Sequence, residues 1–147
     1  MILKIFRVLW FFSILAVLGF FMYVYASLPD PVVVMEEPEQ FVVSKETLFY
    51  IILATLAVFN MFVYVFRSLN KTEEGEGFVS WYYGLVICLN AFFIVAVSYI
   101  SLFNSGERFA YERIGIIIYG SVALMILWAF SWPVYLAGRK IFAKKAV

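Results

Sequence analysis

Four long apolar runs, separated by short polar clusters, set the pattern of the chain. No charged residue lies between Val8 and Ser27, Thr47 and Phe66, Gly77 and Ser105, or Ile114 and Gly138. A bilayer core is about 30 Å thick, and a helix needs about 20 residues to cross it. Hydrocarbon offers the backbone no water, so each run must satisfy its own N–H and C=O groups as a helix. The pattern predicts transmembrane helices at about 8–27, 47–66, 79–103 and 114–136. Short connections make consecutive helices antiparallel neighbours, which gives an all-α membrane protein with an up-down four-helix bundle.

The polar clusters carry punctuation. Pro29 and Pro31 stop the first helix, because proline removes a backbone donor and restricts the residue before it. Val32-Val33-Val34-Met35 and Phe41-Val42-Val43 are β-prone runs on either side of Glu36-Glu37-Pro38-Glu39-Gln40, which predicts a small β-hairpin or an extended loop on the membrane surface. Ser44 is a good N-cap, and Glu46 complements the dipole of the helix that follows. Asn70 to Gly77 reads as a polar turn, and Asn104-Ser105-Gly106 as a second one. Pro133 falls near the end of the last helix, ahead of a basic tail holding Arg139, Lys140, Lys144 and Lys145.

Composition places the whole chain in the bilayer. The 147 residues are 65% hydrophobic and 14% charged, where a soluble domain has about 25% charged residues, and this length is that of one domain. A net charge of +1 gives no electrostatic basis for binding nucleic acid. Basic residues set orientation. Lys4, Arg7, Arg67, Lys71, Arg139, Lys140, Lys144 and Lys145 fall on one side, and only Lys45, Arg108 and Arg113 on the other. This predicts both termini in the cytoplasm and the valine-rich loop outside.

The same inventory narrows the chemistry. Histidine is absent, which removes the usual haem ligands and most zinc sites. Cys88 has no intrachain partner, so paired-cysteine redox chemistry is out and the thiol reads as a small packing residue. Membrane enzymes and transporters place ionisable groups inside the bilayer despite their cost. Every charged residue here lies in a loop, a tail or a helix end. The expectation is a non-catalytic protein without a cofactor or metal.

What polarity remains at depth is amide. Asn60 and Asn90 fall within roughly 5 Å of mid-membrane at 1.5 Å rise per residue, which suggests an interhelical contact. Small residues mark expected contact faces, because they let helix backbones approach closely in lipid. Gly84, Cys88, Ala91, Val95 and Ser98 form one stripe on the third helix. Ala54, Ala57, Met61 and Tyr64 form another on the second, and Ser13, Ala16, Gly19 and Tyr23 a third on the first. These faces pack within the bundle or against another subunit. Val32, Val33, Val34, Glu36, Glu37, Glu39 and Phe41 make the long first loop a candidate recognition surface, with a lid over the bundle end as the alternative.

Residues 1–66 also carry a resemblance. Leu28-Pro29-Asp30 ends a helix, a valine-rich segment leads to Glu36-Glu37-Pro38-Glu39-Gln40-Phe41, and Ser44-Lys45-Glu46 opens an aromatic-rich helix. This arrangement resembles the poorly characterised bacterial membrane domain at the N-terminus of peptide-toxin immunity proteins. In that domain a Leu-Pro pair, a His-Phe-Asn-like segment, a Gly-Glu-Pro-Asp-like turn and a Ser-Lys pair join two helices. Here the histidine is missing, Glu36 stands in the glycine's place, and the intervening segment is shorter. The resemblance implies a bacterial inner-membrane protein and supplies no catalytic residue. Two functions follow as expectations: an accessory or interaction subunit of a bacterial inner-membrane complex, or a toxin-sensing, immunity-type protein. A transporter or membrane enzyme is the least favoured.

Overall fold

A computed structural model describes residues 2–35, 41–70, 73–106 and 111–144. Along these lie α1 (Ile2–Ser27), β1 (Val32–Met35), β2 (Phe41–Val43), α2 (Lys45–Leu69), α3 (Glu73–Phe103) and α4 (Tyr111–Lys144). All four helices are long and apolar enough to cross a membrane. The expected four-helix architecture is present, with a two-stranded sheet in the first long connection.

The helices are longer than the apolar runs that announce them. α1 begins at Ile2, because Lys4 and Arg7 are good helix formers and nothing there breaks the chain. α3 begins at Glu73, inside the segment expected to be a turn. Acidic residues favour the positive end of a helix dipole, so a run of glutamates reads polar yet starts a helix. α4 passes through Pro133 and continues to Lys144, with Arg139, Lys140 and Lys144 toward the dipole's negative end and Arg113 in the first turn. The start of α2 is as expected. Ser44 Oγ accepts the Thr47 N–H at 3.1 Å, and Glu46 sits in the first turn. Lys71 and Thr72, the acidic tip Glu36, Glu37 and Glu39, and residues 107–110 lie outside the described residues.

α3 is the hub of the bundle. α1, α2, α4 and β1 all pack on it. α1 and α3 run in one direction, α2 and α4 in the other. Two apolar cores form along this axis. One lies toward the hairpin, around Val17, Phe21, Val32, Ile52, Leu56 and Val97. The other lies toward the chain termini, around Trp10, Val63, Val79, Tyr82, Tyr83 and Val86.

The inward faces differ from the small-residue stripes. α2 buries Leu48, Ile52, Leu56 and Val63, which fall at helical spacing on one side. Ala54, Ala57, Met61 and Tyr64 are exposed, although Tyr64 meets the Trp10 ring edge-on at 5.6 Å and Ala57 borders a groove against α1. α1 buries Trp10, Val17, Phe21 and Val24, leaving Ala16, Gly19 and Tyr23 outside. A side chain added at Gly19 would meet nothing within 4 Å. On α3, Gly84 is buried, Cys88 and Ser98 are half-buried, and Ala91 is exposed. The physical reason is common to all three helices: large residues give more contact per turn, and dispersion is a main driving force between helices in lipid. Ala54, Ala57 and Ala91 are therefore exposed rather than buried in the bundle, with Ala57 lining a groove between α2 and α1.

The hairpin is fastened to the bundle. Val32 pairs with Val43 and Val33 with Val42, and Val32 is completely buried. Asn104, just beyond α3, then acts as a further strand. Its Nδ2 donates to Val33 O at 2.8 Å, and its Oδ1 accepts the Val33 N–H at 2.9 Å.

Candidate functional site

Four side chains from three helices converge at mid-span. Trp10 Nε1 donates to Asn60 Oδ1 at 2.8 Å. Asn60 Nδ2 donates to Leu56 O at 2.8 Å and to Asn90 Oδ1 at 3.2 Å. Asn90 Nδ2 donates to Ser13 Oγ at 2.9 Å and to Asn60 Oδ1 at 3.3 Å, while Ser13 Oγ donates to Trp10 O at 2.8 Å. Asn90 has no solvent exposure at all. The node separates the two apolar cores and satisfies its own donors and acceptors. A network so saturated fixes the register of three helices and has little capacity left for a ligand.

α4 is held differently. Trp81 Nε1 donates to Trp128 O at 2.8 Å, and Trp128 Nε1 donates to Trp81 O at 2.9 Å. Each indole thus bonds the other's backbone, a reciprocal clasp between α3 and α4. Gly84 makes room for it: a Cβ there would lie 2.3 Å from the Trp128 ring. Trp132 packs onward edge-on to Phe78 and tilted against Trp81, over Gly77. No described side chain of the α4 span Gly115–Ile141 is fully buried.

Beside the clasp lies an open apolar cleft of about 310 Å³. Phe59 of α2, Leu85 and Leu89 of α3, and Met125, Ile126 and Ala129 of α4 line it. Among the described residues no three His, Cys, Asp or Glu side chains gather where a metal could sit. Cys88 is a free, half-buried thiol.

The other end of the bundle closes through the residues that carry the resemblance. Lys45 Nζ donates to Leu28 O at 2.7 Å, and the Lys45 N–H donates to Asp30 Oδ1 at 3.1 Å. The ammonium also lies 4.9 Å from the centre of the Tyr25 ring, within cation–π range. The Leu-Pro-Asp and Ser-Lys segments therefore meet at the base of the loop. Of the recognition candidates, Val32 turns inward, Val33 and Val34 are half-buried, and Phe41 is exposed beside Val42.

Asn60 and Asn90 are in contact, and the structure adds Trp10 and Ser13 to them. Sequence reading missed the Trp81–Trp128 clasp and the Asn104 clip. Gly77 and Gly84, seven residues apart and facing two tryptophans four apart, were the available signal for the clasp. Comparison of the chain with protein-family models, with characterised proteins and with solved structures finds no match.

Proposed function

We propose that the chain is a non-catalytic accessory subunit of a bacterial inner-membrane complex, with both termini cytoplasmic. The observation that carries this reading is the open cleft between α2, α3 and α4. α1, α2 and α3 are joined by a closed polar node, whereas α4 is clasped to α3 and leaves an apolar trough beside it. The trough suits a transmembrane helix of a larger partner, which would pack against Leu89 and Ala129. Purification from native membranes in mild detergent tests this. A stoichiometric larger membrane protein is expected to accompany the wild-type chain. Ala129→Trp fills the trough and is expected to release that partner while the chain still inserts. A clean monomer or homodimer overturns the proposal.

The second reading, an immunity-type protein, has one observation in its favour. Lys45 donates to both Leu28 O and Asp30 Oδ1, so the motif residues meet at the base of the loop that would receive an external peptide. Replacing residues 32–43 by a short Gly-Ser linker separates the readings. Partner binding through the trough survives that change, and binding of an external peptide does not.

A further inference from the structure

The end of the bundle that carries both chain termini holds a second cleft, of about 220 Å³ and polar. Arg7 of α1, Arg67 and Asn70 at the end of α2, and Glu76 of α3 line it, with Leu3 and Val79 as apolar walls. Arg7 immediately precedes the first uncharged run and Arg67 immediately follows the second. Both guanidinium groups therefore sit at the edge of the apolar band, at head-group depth. Arg7 Nε is shut off from solvent and has no hydrogen-bond partner. An arginine cannot lose its proton to escape that cost, so a buried N–H of this kind calls for an acceptor. Among the described residues neither arginine makes an ion pair within 4.0 Å. Glu76 is exposed at the same cleft, and Asn70 Nδ2 is committed to Phe66 O at 2.9 Å, which leaves Asn70 Oδ1 as an acceptor.

The donor set selects its ligand. Two planar guanidinium forks match the oxygens of a phosphate. Among the described lining residues, one carboxylate against two cations leaves a single positive charge, which balances one phosphodiester. Glu76 and Asn70 Oδ1 then seek a donor on the same molecule. Free phosphate brings further negative charge toward Glu76, whereas a glycerol or ethanolamine head group brings a hydroxyl or an ammonium. The geometry points to a phospholipid head-group site, with the phosphodiester on Arg7 and Arg67 and the head group's donor toward Asn70 and Glu76. It needs a membrane but no protein partner, so it stands or falls apart from the accessory role.

Native mass spectrometry of the full chain in neutral detergent provides the test. The probes are phosphatidylglycerol, phosphatidylethanolamine, phosphatidylcholine and inorganic phosphate. Phosphatidylglycerol and phosphatidylethanolamine adducts are expected to persist at about tenfold lower lipid than adducts of phosphatidylcholine, whose quaternary ammonium has no donor. R7Q/R67Q is expected to lower phosphatidylglycerol retention about tenfold, and R7K, which keeps the charge but not the fork, to lower it less. R139Q/K140Q removes the same charge from exposed positions in the last turns of α4 and is expected to change nothing. R7Q/R67Q matching the wild type in size exclusion and melting temperature shows that lost retention is not lost folding; where it does not match, the smaller loss in a folded R7K carries the test. Equal losses in the tail variant mean diffuse attraction and overturn the site. Unchanged retention in R7Q/R67Q overturns it too. A phosphate adduct that R7Q removes, without any lipid preference, assigns the cleft to a free anion and overturns the lipid.

Discussion

Asn90 is the single polar side chain that is fully buried among the described residues, and its amide reaches two neighbouring helices. Removing it leaves Ser13 and Asn60 with fewer partners in hydrocarbon, although Asn60 keeps Trp10 and Leu56. Interhelical hydrogen bonds in membranes average about 0.6 kcal/mol and reach about 1.7. Asn90→Ala is therefore expected to cost roughly 1–2 kcal/mol. Unfolding in mixed micelles measures this. Combined with Asn60→Ala, the loss is expected to fall short of the sum of the two, because the residues share bonds. Additivity to within about 0.3–0.5 kcal/mol would show that they act independently.

At the scale of elements, the attachment of α4 depends on what α3 does not carry. Gly84→Ala drives a methyl into the Trp128 ring, where the Cβ would stand at 2.3 Å. Overpacking of this kind costs about 1–3 kcal/mol, and the reciprocal indole bonds are expected to break with it. Gly77→Ala meets Trp132 at 3.3 Å and is expected to be milder; Gly120→Ala meets nothing and is expected to be neutral or stabilising. Tryptophan emission and melting temperature, read together, rank the three. A ranking with Gly120→Ala as the worst refutes the clasp.

The elements also show what the sequence makes legible. The spans were readable because hydrocarbon forces each apolar run into a helix, and Ser44 was readable because capping is local. The inward faces were not. Small residues on α2 and α1 looked like contact stripes, but the spacing of the buried residues was hidden in runs where almost every position is apolar. Ile52, Leu56 and Val63 differ from Leu53 and Val58 only in where the rest of the bundle lies. Asn104 reads as turn chemistry, which it is. Its second role, completing the edge of β1, depends on a residue 71 positions away. The start of α3 was hidden because glutamates mark both turns and helix openings.

For the molecule as a whole, the basic residues predict which end faces the cytoplasm. On a Cys88→Ser background, Gln40→Cys is expected to react with an impermeant maleimide added to intact cells, and Thr72→Cys only after lysis. The opposite pattern inverts the topology, and with it the leaflet that supplies the head group to Arg7 and Arg67.

The polar node bears on how the chain is made. Synthesis delivers α1, then α2, then α3 to the membrane. Ser13 bonds Trp10 O within its own helix, and Asn60 bonds Leu56 O within its own. The Trp10–Asn60 bond joins α1 to α2 directly and uses no group of α3. Asn90 arrives last, and both acceptors of its amide, Ser13 Oγ and Asn60 Oδ1, are by then in place. Insertion in chain order thus need leave no amide abandoned to lipid, which would give intramembrane quality control little to seize.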